Sequence, residues 1–169
     1  MRLRPYIPET DFEKISKWIK NERTHAMWSA NRFPFPIEKE SFHAYLSELG
    51  KEWGGSPFVF TEDDGTVRGF FCYETDLKSN VGMLKYIVVD DSVRGRGYGG
   101  KMLKLAAKYA FEICGADGVH LNVFTVNAPA RRCYEKAGFA IRSIDEGAFK
   151  YNDEQWGRCN MYLAKDKAK

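Results

Sequence analysis

Apolar residues along this chain change their period several times, and the changes divide it into alternating strands and helices. Residues 3–7 read as a first strand. Phe12, Ile15 and Ile19 then fall at helical spacing, with Thr10 and Glu13 placed to cap the helix start. Arg32-Phe33-Pro34-Phe35-Pro36 interrupts that pattern, and residues 37–49 resume it with Phe42, Tyr45, Leu46 and Leu49 near one face. Residues 58–60 and 67–73 are rich in strand formers, and Asp63-Asp64-Gly65-Thr66 between them predicts a hairpin. Residues 83–89 form a further strand whose apolar end, Ile87-Val88-Val89, suits a central position covered on both faces. Met102, Leu103, Ala106, Tyr109, Ala110 and Ile113 mark a helix that stops at Gly115, before a strand over residues 119–124. Asn127 can cap a short helix, with Pro129 in its first turn and Gly138 at its end. Residues 139–144 and 159–163 complete the order as two strands around a polar loop. The expected class is α/β or α+β, a mixed sheet with helices on its faces.

Composition narrows the setting. At 169 residues, without repeats or a Pro/Ser-rich linker, the chain predicts one domain over residues 1–169. An apolar content of 44% with 29% charged residues fits a soluble protein, and no apolar run has the length of a membrane span. The basic start is followed by Asp11, Glu13 and Lys14 instead of an apolar signal core, so the expected compartment is the cytoplasm. Cys72, Cys114, Cys133 and Cys159 are scattered, as are His25, His43 and His120. This predicts free thiols and no metal site. A net charge of +3 is too small to argue for nucleic acid, although Arg94, Arg96, Lys101, Lys104 and Lys108 occur with no acid among them.

The segment Val88-Val89-Asp90-Asp91-Ser92-Val93-Arg94-Gly95-Arg96-Gly97-Tyr98-Gly99-Gly100 feeds a buried strand into glycines that open an amphipathic helix. Without Cβ atoms, successive N–H groups can turn toward an anion, and the positive end of the helix dipole faces the same point. Arg94, Arg96 and Lys101 add cations, so a pyrophosphate is the expected ligand. The competing reading is a turn needed only for tight strand-to-helix packing. A nucleotide P-loop fails for want of its Lys-Ser/Thr ending, and a dinucleotide fold for want of a downstream acidic ribose ligand.

Arg94-x-x-Gly97-x-Gly99 resembles the coenzyme A motif of the GCN5-related N-acetyltransferase family. Asn127-x-x-Ala130-x-x-x-Tyr134-x-x-x-Gly138-Phe139 is similar to a second signature of that family. The resemblance implies an acyl-CoA N-acyltransferase fold: a mixed, mainly antiparallel central sheet with splayed parallel strands and helices on both faces. It implies acetyl-coenzyme A as co-substrate, a primary amine on a small molecule or protein N-terminus as acceptor, and no metal, nucleic acid or membrane partner. It leaves room for a homodimer. By resemblance, the backbone of Ile87, Val88 and Val89 pairs with the pantetheine arm, and a backbone N–H near Val88 or Val89 stabilises the oxyanion. The segment Arg94, Gly95, Arg96, Gly97, Tyr98, Gly99, Gly100 and Lys101 holds the pyrophosphate, while Asn127, Ala130 and Tyr134 line the cofactor. The Tyr134 phenol would also serve the departing thiolate, whereas Cys133 has no histidine placed to make it a nucleophile.

One departure from the family pattern concerns the base. Relatives often carry Glu on the strand before the glycine turn, and Met83-Leu84-Lys85-Tyr86-Ile87 offers none. Glu74 is the best replacement, with Asp76 behind it and a water relay as the other route. The missing acid also motivates an alternative, a catalytically inactive acyl-coenzyme A binding or sensing module. Acceptor choice falls to the aromatic N-terminal third, including Trp28, Phe33, Phe35, Tyr45 and Trp53, and to the late acidic segment with Asp145, Glu146, Asp153 and Glu154. Most of these residues are equally well explained as core or solvated loop.

Overall fold

A computed structural model describes residues 1–167. Its strands are β1 (Arg2–Pro5), β2 (Ser56–Thr61), β3 (Val67–Asp76), β4 (Val81–Val89), β5 (Gly118–Phe124), β6 (Ala140–Tyr151) and β7 (Glu154–Ala164). They form one sheet in the order β1-β2-β3-β4-β5-β7-β6, antiparallel throughout except between β4 and β5. That parallel pairing runs only from Val81–Leu84 against Gly118–Leu121. Beyond Leu84 the two central strands part, so the mixed, mainly antiparallel sheet with a splayed parallel pair is present as expected.

The helices are α1 (Pro8–Lys17), α2 (Glu22–Ser29), α3 (Lys39–Trp53), α4 (Tyr98–Lys108) and α5 (Ala128–Lys136). On one face, Met102, Leu103 and Ala106 of α4 and Tyr134 of α5 pack with Phe71, Leu84, Leu121 and Met161 of the sheet. On the other, Ile15 of α1 and Phe42, Leu46 and Leu49 of α3 pack with Val59, Phe70 and Val88. α2 lies on this second face and touches both arms of the opening. Its Trp28 ring stands 6.2 Å from that of Tyr86 on β4, while Ala26 is buried with Phe124 of β5 and Trp156 of β7. A bidentate pair of Arg23 with Glu154, and the Arg23 guanidinium over the Trp156 ring at 5.1 Å, fasten α2 to the β7 side.

Three expectations change. α1 begins three residues earlier than a Thr10 cap implied, because Pro8 suits the first helical position, where no N–H is needed. The capping carboxylate is Asp11, which accepts the Ile7 N–H at 2.8 Å. α2 has no counterpart in the sequence reading. Its apolar residues divide between two walls, Trp28 toward β4 and Ala26 toward β5 and β7, so no one-sided stripe marks it. The expected polar loop after residue 144 is instead the far half of the β6–β7 hairpin, turning at Asn152 with φ 51°. β6 is an edge strand with an exposed face and two register shifts, and its polar residues imitate a loop for that reason. The helix after the glycine turn ends before Gly115 as its periodicity predicts, with α4 continuing through a π-helical turn at Tyr109–Ile113.

Asp11 ties the first strand to the first helix. Its side chain is fully buried and binds the Arg4 guanidinium through both oxygens at 2.7 Å, besides the Ile7 N–H. Burial raises its pKa, but the Arg4 and Ile7 hydrogen bonds outweigh that effect and leave it lowered. A carboxylate with a lowered folded pKa stabilises the fold above the ordinary carboxylate range and ceases to do so as pH falls through the folded value. Because Arg4 is partly exposed and can regain water, Asp11→Asn should cost about 2 kcal/mol at pH 7. In urea unfolding, the difference from wild type should shrink toward pH 3; a pH-independent difference would remove the charge from this explanation.

Candidate functional site

The site starts from an irregularity in β4. Phe70 pairs with Val88 and Cys72 with Lys85, so Tyr86 and Ile87 together oppose the one residue Phe71. This is a β-bulge, with Tyr86 in the left-handed region at φ 53°. For a residue with a Cβ such a conformation costs roughly 1–2 kcal/mol. Trp28, Phe33 and a hydroxyl–hydroxyl contact with Tyr45 of α3 surround the Tyr86 side chain and fix it there. The bulge resets strand alternation: Lys85 and Tyr86 fall on one face, after which Ile87 and Val89 face α4 and Val88 faces α1 and α3. β3 still pairs with this half of β4, whereas β5 does not. The peptide groups from Ile87 to Val89 that point toward β5 therefore lack strand partners.

The glycine turn follows directly. A 3-10 turn at Asp91–Val93 leads into Arg94–Gly97, and Gly97, at φ 81°, is the N-cap of α4. The N–H groups of Gly97, Tyr98, Gly99 and Gly100 open the helix and have no acceptor within it. An ideal Cβ at Gly97 would meet nothing within 4 Å, so the space before these amides is open, and the cradle fits an anion. The Arg96 amide is already used by the Val93 carbonyl at 3.3 Å, which leaves its exposed guanidinium as its contribution. Arg94 donates from Nε to the Val89 carbonyl at 3.4 Å and so stands at the mouth, where Lys101 is also exposed. The Tyr98 phenol points to Glu62, just after β2, leaving its amide to the cradle. The acids beside the turn are engaged elsewhere. Asp90 binds Arg68 at 2.8 Å and Asp91 binds Lys20. Burial raises the Asp90 pKa, but the Ser92 N–H and Arg68 outweigh it, so the group stays ionised and paired.

α5 adjoins this cradle. A Cβ on Gly99 would lie 2.9 Å from Cys133 Sγ, so glycine here permits close approach of α4 to α5. Asn127 caps α5, its side-chain oxygen accepting from the Ala130 N–H at 3.3 Å. Two turns on, Tyr134 is buried in the face shared with α4. Burial raises its phenol pKa well above the ordinary value, which keeps the group protonated. Its hydroxyl has no hydrogen-bond partner among the described residues.

Glu74 stands apart from these groups. It pairs with Met83 on the sheet face away from α4 and α5, and one oxygen binds Lys85 Nζ at 2.6 Å. Its other oxygen, Oε2, is buried without a partner. Thus the structure brings together the cradle, the open side of β4 and the α5 residues, and places Glu74 across the sheet. Tyr86 was not identified from sequence, and Trp28 and Tyr45 were named only among the aromatic residues of the N-terminal third, without this contact. The available signal was Lys85-Tyr86 between Leu84 and Ile87, two successive polar-tipped residues that break period-two alternation.

The Acetyltransferase (GNAT) family profile matches residues 21–139. A streptothricin acetyltransferase of Streptomyces lavendulae is 31% identical over 101 residues, 60% of this chain and 53% of that protein. The chain therefore spans about half the length of this relative. A streptothricin acetyltransferase of Escherichia coli is 27% identical over 144 residues, 75% of this chain and 82% of the relative. Among solved structures, a Vibrio cholerae spermidine N-acetyltransferase in complex with CoA and spermine superimposes with a TM-score of 0.82. It covers 98% of this chain and 96% of its own, and at 18% identity it shows a shared fold.

Two glycines with open Cβ space make a contrasting pair. Gly97→Ala should cost about 1 kcal/mol of stability through its positive φ and weaken coenzyme A binding about tenfold or more by filling the cradle. Gly100→Ala lies inside the helix and should stabilise the protein by about 1 kcal/mol. Calorimetric titration and thermal unfolding of both variants check this; unchanged coenzyme A affinity in Gly97→Ala would count against the cradle.

Proposed function

We propose, on the premise that this chain belongs to the Acetyltransferase (GNAT) family, that it transfers the acetyl group of acetyl-coenzyme A directly to a primary amine. The observation that carries this reading is two stretches of peptide groups without backbone partners, the β5-facing side of β4 and the first turn of α4, joined by the glycine turn. In this reading residues 1–169 work as one acetyltransferase domain in the cytoplasm. No helix among the described residues is long and apolar enough to cross a membrane.

The substrates divide between the faces of the sheet. Amides of Gly97, Tyr98, Gly99 and Gly100, with Arg94, Arg96 and Lys101, hold the pyrophosphate. The β5-facing peptide groups of Ile87 to Val89 align the pantetheine arm as an added strand. Gly95 gives the turn its path, and Asn127 and Ala130 at the start of α5 border the arm. This leaves the thioester in the opening, with Tyr134 on the α4–α5 face and the acceptor arriving beneath α2 from the other face.

The neutral amine forms a C–N bond to the thioester carbon, and a β4 amide near Val88 or Val89 stabilises the oxyanion. Collapse breaks the C–S bond. A thiol has an ordinary pKa of about 8.5, whereas burial holds the Tyr134 phenol far above that range, so complete transfer of the phenol's proton to the thiolate is uphill. Tyr134 therefore stabilises the leaving thiolate by hydrogen-bond donation. The proton lost by the amine passes through water toward Glu74, whose buried Oε2 is free to accept, and solvent returns a proton to sulfur.

Tyr134→Phe should lower kcat about a hundredfold while leaving acetyl-coenzyme A affinity within about twofold. Thiol release across an amine and peptide panel, with cofactor binding measured in parallel, checks this. Binding without turnover on any acceptor in wild type would favour the inactive sensing module, and absence of coenzyme A binding would remove both readings.

A further inference from the structure

On the acceptor face, the row Glu74, Met83, His120 and Tyr162 crosses β3, β4, β5 and β7 one residue before β4 leaves β5. α2 covers the next part of this face, at Phe124 and Trp156, so the row forms a floor beside the opening. His120 is held there by a network with defined polarity. Arg142 Nε donates to Asn160 Oδ1 at 2.8 Å, which fixes the orientation of the Asn160 amide. Asn160 Nδ2 consequently donates to His120 Nδ1 at 3.1 Å and to Asn122 Oδ1 at 2.9 Å. With Nδ1 accepting, neutral His120 carries its proton on Nε2. That nitrogen has no protein partner among the described residues and is not sealed from solvent.

The surroundings oppose a second proton. Desolvation, then Arg142 and Lys85, lower the His120 pKa; Asp76 acts in the other direction. Asp76 is itself engaged by the Lys78 N–H and the Ser79 hydroxyl, both at the β3–β4 turn. Protonating Nδ1 would also set it donor to donor against an Asn160 amide that Arg142 prevents from turning over. His120 is therefore a fixed donor and not a base. Across Met83, two strand spacings or roughly 10 Å away along the row, Glu74 offers the complementary feature, a buried carboxylate oxygen with no partner.

We propose that the acceptor is an amine bearing a hydrogen-bond-accepting oxygen several bonds from its nitrogen, such as an amide carbonyl, and that His120 selects it by donating Nε2–H to that oxygen. The proposal rests on the acetyl-transfer reading and assigns the Glu74 side of the row to the amine. An alkyl polyamine lacks such an oxygen, and its second ammonium would meet the His120 donor between Lys85 and Arg142. The Glu74 carboxylate on this floor is already shared with Lys85. A cavity of about 610 Å³ beyond α2 does not reverse the balance, since Arg32 and Lys150 line it together with Glu22.

The test compares ω-amino amides with α,ω-diaminoalkanes of equal length as acceptors for the full-length protein. Wild type should favour the amides about tenfold or more in kcat/KM. His120→Phe should abolish that preference through a raised KM for the amides, with kcat within about twofold, and His120→Gln, which keeps an N–H near the same point, should retain most of it. Acetyl-coenzyme A affinity serves as the folding control for both variants. Nitrogen-15 spectra should show His120 as the neutral Nε2–H tautomer at pH 7, with that signal shifting when an ω-amino amide is added to the coenzyme A-loaded protein. A wild-type preference for diamines, an unchanged preference in His120→Phe, or a cationic or Nδ1–H His120 would overturn the proposal. Acetylation of neither series while another amine is acetylated would overturn this proposal alone. No turnover on any amine or peptide would sink the acetyl-transfer reading, and the His120 signal would then decide separately: unmoved by the amide, it overturns this proposal too.

Discussion

The separation of β4 from β5 after Leu84 is the constraint on which the rest of this molecule depends. In the centre of a sheet, each peptide group left without a partner costs about 1–3 kcal/mol unless water or a ligand satisfies it. The fold opens β4 at its most central position and maintains the opening. The Tyr86 bulge turns the strand, and α2 rests Trp28 on one arm and Ala26 on the other. α4 and α5 cover the opposite face, drawn together where Gly99 lies against Cys133. The unsatisfied strand groups and the unsatisfied first turn of α4 then form one surface, suited to a ligand with amides along its length and phosphates at its end.

Electrostatics supports that surface by removing competitors. Asp90, Asp91 and Glu62 stand near the turn, and each is engaged away from it: Asp90 by Arg68, Asp91 by Lys20, and Glu62 by Arg68 and Tyr98. The helix dipole and the exposed Arg94, Arg96 and Lys101 then act on the cradle without local neutralisation. On the acceptor face the pattern differs, with neutral and paired groups predominating. The fixed His120 tautomer contributes directional hydrogen bonding there.

The sequence was most informative where one residue type has one physical use. The spacing of Gly97 and Gly99, Asn127 as a cap, and Gly115 after a helix each follow from local backbone requirements, and the elements they predict are present. α2 escaped notice because a helix packed between two walls has no single apolar stripe. The outer β6–β7 hairpin resembled a loop because its exposed face is polar. Glu74 was identified by chemistry alone, and its pairing with Lys85 depends on the cross-strand register that runs from the β3–β4 turn to the bulge. The His120 network joins residues from β5, β6 and β7, and its polarity depends on Arg142 holding one amide in place.

The central claim is that coenzyme A completes the sheet along the open side of β4. Amide hydrogen exchange, resolved by residue in the free and coenzyme A-bound protein, tests it most directly. The account predicts new protection at amides between Ile87 and Val89 that face β5, together with Gly97, Tyr98, Gly99 and Gly100. Saturating coenzyme A that protects other parts of the protein while leaving both stretches unchanged would contradict it.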